Sequence, residues 1–294
     1  STQAKTLFPY TTLFRSLPHV IRIAHPSTMN STLDIQRQDL AGGHVATVRL
    51  NRPERRNAFD ADVITELTAT FQALATEPGL RAVVLGAHGK AFCAGADLNW
   101  MRAMADYSWD ENRADGARLA DLLWTLAACP VPLIGQVQGD CYGGGVGLAA
   151  TCDIVVAAHE AVFSLSEVKL GLIPATISPY VIRAIGERNA RRYFTTAERF
   201  DAATAQRLGL VHEVCPADEL PGKVDALVQA IAANGPQAVR ASKRLIHGIA
   251  DLPIEPALSE RTAEIIADVR ASDEGREGMR AFLDKRAPAW QSKA

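Results

Sequence analysis

The sequence has no C-x-x-C pair, no apolar run near the ~20 residues a membrane helix needs, and no marked excess of either charge. Cys93, Cys129, Cys141, Cys152 and Cys215 are odd in number and scattered, which argues against a zinc site or a disulfide framework and makes a reducing cytoplasm the natural setting. A net charge of −2 over 294 residues argues against a protein built around nucleic acid, although a few local Lys or Arg residues would suffice for a small anion. Neither G-x-G-x-x-G with a downstream acid nor a Gly-Lys-Ser/Thr loop occurs, which excludes the common nucleotide cradles. No metal site and no separate cofactor are expected.

The first thirty residues stand apart. They have neither a signal-peptide layout nor a useful amphipathic period, and are read as a non-core extension, an artefact or a disordered arm, with Met29 as a natural start. A targeting peptide is the competing reading, on Arg15, Arg22 and the absence of acid before Asp34.

From Val45 short apolar runs alternate with helical patterns. Val45 to Leu50 reads as a strand that stops at Asn51-Arg52-Pro53. Asp60 can cap a helix that places Val63, Ile64, Leu67, Phe71 and Leu74 on one face. Strands are expected at 81–85, 133–137, 153–157 and 161–165, with a helix through Leu119, Leu122, Leu123 and Leu126. Beyond Leu172 the chain reads as mostly helical, with a short apolar run at 210–214. This gives an α/β core, 31–220, and a helical C-terminal segment, 221–294.

Three segments carry chemistry. Residues 89–98 (GKAFCAGADL) follow a strand, and their small residues let backbone approach a ligand closely; taken alone they read as a loop with a glycine turn. Residues 139–148 (GDCYGGGVGL) make a glycine-rich strand-to-helix turn, whose free amides suit a phosphate or a developing oxyanion. In 163–174 (FSLSEVKLGLIP) Glu167 is flanked by Leu165, Val168 and Leu170. Partial burial there would raise its pKa toward neutrality, whereas pairing with Lys169 would make it an ordinary surface carboxylate.

In this order the segments resemble the enoyl-CoA hydratase/isomerase (crotonase) superfamily. The resemblance runs from residue 33 to Trp290 and is carried by LNRPERRNAF at 50–59, AFCAGADL at 91–98, GGGVGLAATCDIVVA at 143–157, SEVKLGLIP at 166–174 and EGMRAFLDKRAPAW at 277–290. It implies a crotonase-like spiral of ββα units, with the amides of Ala96 and Gly144 as an oxyanion hole and Glu167 as the proton-transfer carboxylate. It implies a CoA site along Arg52, Arg55, Arg56 and Ala58, with Ala94, Ala96, Asp97, Leu98 and Gly144 against the substrate and Phe282 and Lys285 as C-terminal helpers. It also implies a homotrimer or dimer of trimers, in which the C-terminal segment joins subunits and covers the CoA site.

One departure matters. Two-carboxylate hydratases of the family carry their first catalytic Glu where this chain has Gly147. That favours single-Glu Δ3,Δ2-enoyl-CoA isomerases, which move a proton between C4 and C2. ADLNWM at 96–101 and the stretch from Ser166 to Phe200 instead resemble bacterial methylglutaconyl-CoA and isohexenylglutaconyl-CoA hydratases. The leading reading is therefore a hydro-lyase acting on a branched α,β-unsaturated acyl-CoA, 3-methylglutaconyl-CoA in leucine breakdown being the best match. Ser178 and Pro179 are expected to make a capped helix start, and Asp140 and Tyr142 read as turn or packing residues. Two weaker readings are a catalytically silent acyl-CoA binder and an RNA-binding role on Arg188, Arg191, Arg192 and Arg199, the one basic cluster in its support.

Overall fold

The computed structural model describes residues 31–291, so the expectations for residues 1–30 lie outside the described residues. Strands β1 (Leu33–Leu40), β2 (Gly43–Leu50), β3 (Leu80–Ala87), β4 (Ala91–Cys93), β5 (Leu133–Val137), β6 (Asp140–Tyr142), β7 (Ile154–Ala158), β8 (Val162–Ser164), β9 (Phe200–Asp201) and β10 (Glu213–Cys215) form two sheets. The larger has the order β1-β2-β3-β5-β7-β10 and the smaller β4-β6-β8-β9. All pairings are parallel except the β1–β2 hairpin and β8–β9.

The helices are α1 (Ala61–Ala75), α2 (Leu98–Met104), α3 (Trp109–Ala127), α4 (Gly144–Ala150), α5 (Ser178–Thr196), α6 (Ala202–Leu208), α7 (Leu220–Ala232), α8 (Pro236–Ile249), α9 (Pro256–Ala271) and α10 (Asp273–Leu283). Each repeat places one strand in the large sheet, the next in the small sheet, and then a helix: β3-β4-α2, β5-β6-α4, β7-β8-α5. This is the expected spiral of ββα units.

Local chemistry explains the elements. The Asp60 carboxylate accepts from the Val63 amide and starts α1, whose Val63, Ile64, Leu67, Phe71 and Leu74 are all buried. β3 is apolar on both faces because helices cover both sides of a parallel sheet. One face packs into the main core with Phe71, Leu85, Phe92 and Leu126. On the other, Val45, Ala82, Val84, Ile134 and Val156 meet Leu220, Val224 and Val228 of α7. Helix α7 is thus packed directly on the large sheet.

The start of α5 differs from expectation. Its N-cap is Ile177, and the Ser178 hydroxyl donates back to the Ala175 carbonyl at 2.8 Å rather than capping the helix. Pro179 sits in the first turn, where its missing N–H costs nothing. The Ile177 side chain is itself buried.

Candidate active site

Strands β4, β6 and β8 run parallel, so their C-terminal ends emerge side by side. Those ends lead into Ala94–Asp97, Gly143–Gly144 and Leu165–Glu167, the three segments that stand out in the sequence.

The first turn is fixed against the Arg52–Phe59 loop. Phe59 forms a parallel bridge with Ala96: the Phe59 amide donates to the Gly95 carbonyl and the Asp97 amide donates to the Phe59 carbonyl, each at 2.9 Å. In such a bridge the bonded groups are those of the residues on either side, and the amide of the central residue points away. The Ala96 N–H is that amide, and it has no acceptor among the described residues.

Gly144 is the first residue of α4, so its N–H is one of the helix's unsatisfied donors and likewise has no acceptor among the described residues. Gly143 before it has φ 53° and ψ −121°, a conformation that glycine adopts at little cost. The turn is also crowded. A Cβ on Gly95 (φ 91°) would stand 3.2 Å from the Tyr142 carbonyl oxygen, and one on Gly143 would stand 3.2 Å from Oε1 of Glu167. Phe59 lies so close over Gly144 that a Cβ there would be 2.7 Å from its ring Cε1.

Glu167 opens a 3₁₀ turn, Glu167–Leu170, closed by Gly171 in the left-handed region. Its Oε2 is buried with no hydrogen-bond partner among the described residues, and no ion pair with Lys169 forms. Burial raises the Glu167 pKa, and a hydrogen bond with its own backbone opposes the rise. A carboxylate of raised pKa therefore stands beside the turn that presents the Gly144 amide.

Gly147, one turn into α4, faces hydrocarbon. A Cβ there would overlap Ile177, standing 2.8 Å from its Cβ, and would lie 3.5 Å from Cδ2 of Leu123. Ile177 occupies the space into which a side chain at 147 would grow.

The Arg52–Ala58 loop is held firmly. Arg56 and Asn57 both have φ 53°, and the buried Asn57 side chain donates to the His88 and Ala91 carbonyls while accepting from the Arg52 amide. The Ala94 amide donates to the Arg56 carbonyl, and Ala58 is buried beneath. Asp97 is buried and tied down, capping α2 through the Asn99 and Trp100 amides and pairing with Arg55 at 3.1 Å and Arg52 at 3.5 Å. Burial alone would raise its pKa, but the Asn99 amide, Arg55 and the Trp100 amide outweigh that and hold it low.

Arg56 pairs with Asp140, which accepts from the Tyr142 hydroxyl at 2.8 Å. Arg56 and Arg199 lie over the Tyr142 ring, at 6.0 and 5.4 Å from its centroid. Burial, then the bond to Asp140, raises the Tyr142 pKa. Of the other arginines in that stretch, Arg191 pairs with Glu187 and Arg192 with Glu198. Cys93, though next to the first turn, has its pKa pushed up to about 12 by burial and is no ready nucleophile.

The structure thus brings together Arg56, Ala58, Ala94, Ala96, Asp97, Gly144 and Glu167, with Leu98 exposed at the rim. Phe282, which is 83% exposed, and Lys285 stand elsewhere. Helix α10, which holds Phe282 and ends just before Lys285, packs on α9 and α8, and Trp290 beyond it abuts Gly42 in the turn before β2 and approaches Gly278 of α10. The Arg52 loop leaves the other end of β2, roughly 25 Å away at strand rise. Asn57, Phe59, Trp100 and Ile177 also stand at the site, and the sequence singles out none of them. Only NRPERRNAF and ADLNWM, as motifs, pointed toward the first three.

Among the described residues no helix is long and apolar enough to cross a membrane. The enoyl-CoA hydratase/isomerase family profile matches residues 41–293. Mevalonyl-coenzyme A hydratase sidH of Aspergillus fumigatus is 32% identical over 255 residues, covering 84% of this chain and 92% of that protein. The crystal structure of an enoyl-CoA hydratase from Shewanella pealeana superposes with a TM-score of 0.84 at 43% identity, over 88% of this chain and 96% of that one. An enoyl-CoA hydratase structure from Mycobacterium smegmatis gives 0.83 at 34%, over 90% and 100%. Matched in fold, in motif order and over nearly the whole described length, the chain belongs to the enoyl-CoA hydratase/isomerase family.

Proposed function

We propose that this chain is a hydro-lyase that adds water to a branched α,β-unsaturated acyl-CoA, 3-methylglutaconyl-CoA being the substrate we favour. The observation that carries the reading is the placement of Glu167, whose Oε2 has no partner among the described residues, beside the Gly143–Gly144 turn, with the Ala96 and Gly144 amides unused by the fold.

In this scheme the thioester oxygen accepts from the Ala96 and Gly144 N–H groups. Ionised Glu167 takes a proton from water as the water oxygen bonds to C3. The C2–C3 π pair moves to form the enolate, whose charge rests on the thioester oxygen between the two amides. Glu167, now protonated, gives its proton to C2, and the carbonyl reforms. One carboxylate serves twice, and a raised pKa suits a group that must both take and give a proton near neutrality.

A relative named mevalonyl-coenzyme A hydratase supports hydratase chemistry in this part of the family. The ADLNWM segment and the 166–200 segment support a glutaconyl-type acyl group. CoA is part of the substrate, and no further cofactor enters the scheme. CoA would lie along Arg52, Arg55, Arg56 and Ala58. Phe282 and Lys285 could reach such a site only on a neighbouring copy, which fits a homotrimer or dimer of trimers. Exposed Ile246, Ile254, Phe282 and Leu283 supply apolar surface for that contact.

The single carboxylate also favours a second reading, a Δ3,Δ2-enoyl-CoA isomerase in which Glu167 alone carries the proton. Assay of the purified chain against 3-methylglutaconyl-CoA, crotonyl-CoA and a 3-enoyl-CoA tests both. Hydration of the glutaconyl thioester above the other activities supports the first; dominant isomerisation overturns it.

A further inference from the structure

Among the described residues only two buried side-chain N or O atoms have no hydrogen-bond partner, Oε2 of Glu167 and Nε1 of Trp100. Leaving a buried polar atom unpaired is costly, and where it persists a reason is needed. For Glu167 the reason is the proton transfer proposed above. Trp100 belongs to the same site. Its ring stands 5.9 Å from that of Phe59, tilted by 54°, and Phe59 is the residue that bridges Ala96 and covers Gly144. Asp97, the next residue after Ala96, caps α2 through the Asn99 and Trp100 amides. Trp100 is thus tied to the neighbours of both amides, by its backbone N–H to Asp97 beside Ala96 and by its ring to Phe59 over Gly144.

An indole N–H can only donate, so its missing partner is an acceptor. Phe59, against which the indole packs, supplies only hydrocarbon at the contact. We infer that the Trp100 N–H is a specificity-determining donor that binds an acceptor oxygen on the acyl group beyond the thioester, in the proposed substrate its distal carboxylate. The inference rests on the acyl-CoA reading and deepens it. A substrate ending in a methyl group would leave the donor unpaired, and a site built to donate discriminates against an analogue that cannot accept.

The test is calorimetric titration of the full chain with glutaryl-CoA and pentanoyl-CoA, which match in chain length and differ in carboxylate against methyl. Neither has a double bond to hydrate, so binding is read apart from turnover. Trp100→Phe keeps a ring against Phe59 and removes the donor. It should weaken glutaryl-CoA by about tenfold or more while leaving pentanoyl-CoA within about twofold. Equal loss for both thioesters, or no loss for either, would overturn the inference while leaving the hydratase reading standing. Binding of neither by the wild-type chain would overturn both. Should Trp100→Phe not fold, ¹⁵N-indole spectra of the wild-type chain read the same contact. One of its four tryptophan N–H signals should move downfield with glutaryl-CoA and not with pentanoyl-CoA, and no selective shift overturns the inference.

Discussion

Gly147 of α4 and Ile177 at the start of α5 are packed so closely that no side chain fits between them. The position where two-carboxylate hydratases of the family carry their first catalytic Glu is here sealed by hydrocarbon from a segment thirty residues on. Gly147→Glu should therefore harm the protein, by overpacking and by burying a carboxylate with no partner, costing about 2–4 kcal/mol. Urea unfolding and crotonyl-CoA hydration check this. Ile177→Ala, itself destabilising by about 2–4 kcal/mol, should recover part of the Gly147→Glu loss in a double-mutant cycle. A gain in crotonyl-CoA hydration from Gly147→Glu alone would contradict the packing account.

The Ala96 amide is unused by the bridge that holds its own turn, since the bonds fall on Gly95 and Asp97. Ala96→Pro removes this N–H while sparing the bridge, and Gly95 before it tolerates the restriction that proline imposes. Turnover should fall by ~10²–10³, the usual effect of losing one oxyanion donor, with little change in thermal midpoint. A parallel loss of stability would show the amide to be structural. Gly144 is less suited to this test because Phe59 would clash with any side chain there.

The raised pKa of Glu167 has a consequence for stability. The folded state holds the proton to higher pH than the unfolded chain does, so stability declines as pH rises from the ordinary carboxylate range through the folded pKa. Glu167→Gln removes that decline. The variant should be more stable than the wild type at pH 7, with the difference shrinking toward pH 4, while kcat drops by ~10²–10⁴. Denaturation midpoints at several pH values, with turnover measured alongside, check both halves.

Asp97 shows the opposite sign. Its pKa is held low, so its contribution is present above the ordinary Asp range and is lost as pH falls through the folded value. Asp97→Ala removes the α2 cap and the ion pairs to Arg55 and Arg52, costing about 1–3 kcal/mol. Because Asp97 adjoins Ala96, KM should rise together with the loss of stability. Unchanged KM would separate α2 from the substrate.

Much of this was legible in the sequence. Val45–Leu50, the Asp60 cap, the buried face of α1 and the order of the three site segments follow from periodicity, capping chemistry and glycine placement. Strand β1 did not, because LDIQRQDL pairs on one edge only and is mostly polar. Strands β4 and β6 are three residues long, too short to show a period, so they read as loops. Contacts between distant segments were invisible for a different reason. Ile177 on Gly147, Phe59 on Gly144 and Arg56 on Asp140 depend on where the spiral lays one turn on another, which no local pattern encodes.

In the proposed reaction Glu167 and the two amides drive addition of water rather than movement of a double bond. Incubating the purified chain with 3-methylglutaconyl-CoA in H₂¹⁸O and weighing the product tests it most directly. Hydration gives a product heavier by one ¹⁸O-labelled water, with the label in a hydroxyl at C3, and that product is lost in Glu167→Gln. An unlabelled product with a shifted double bond would contradict it.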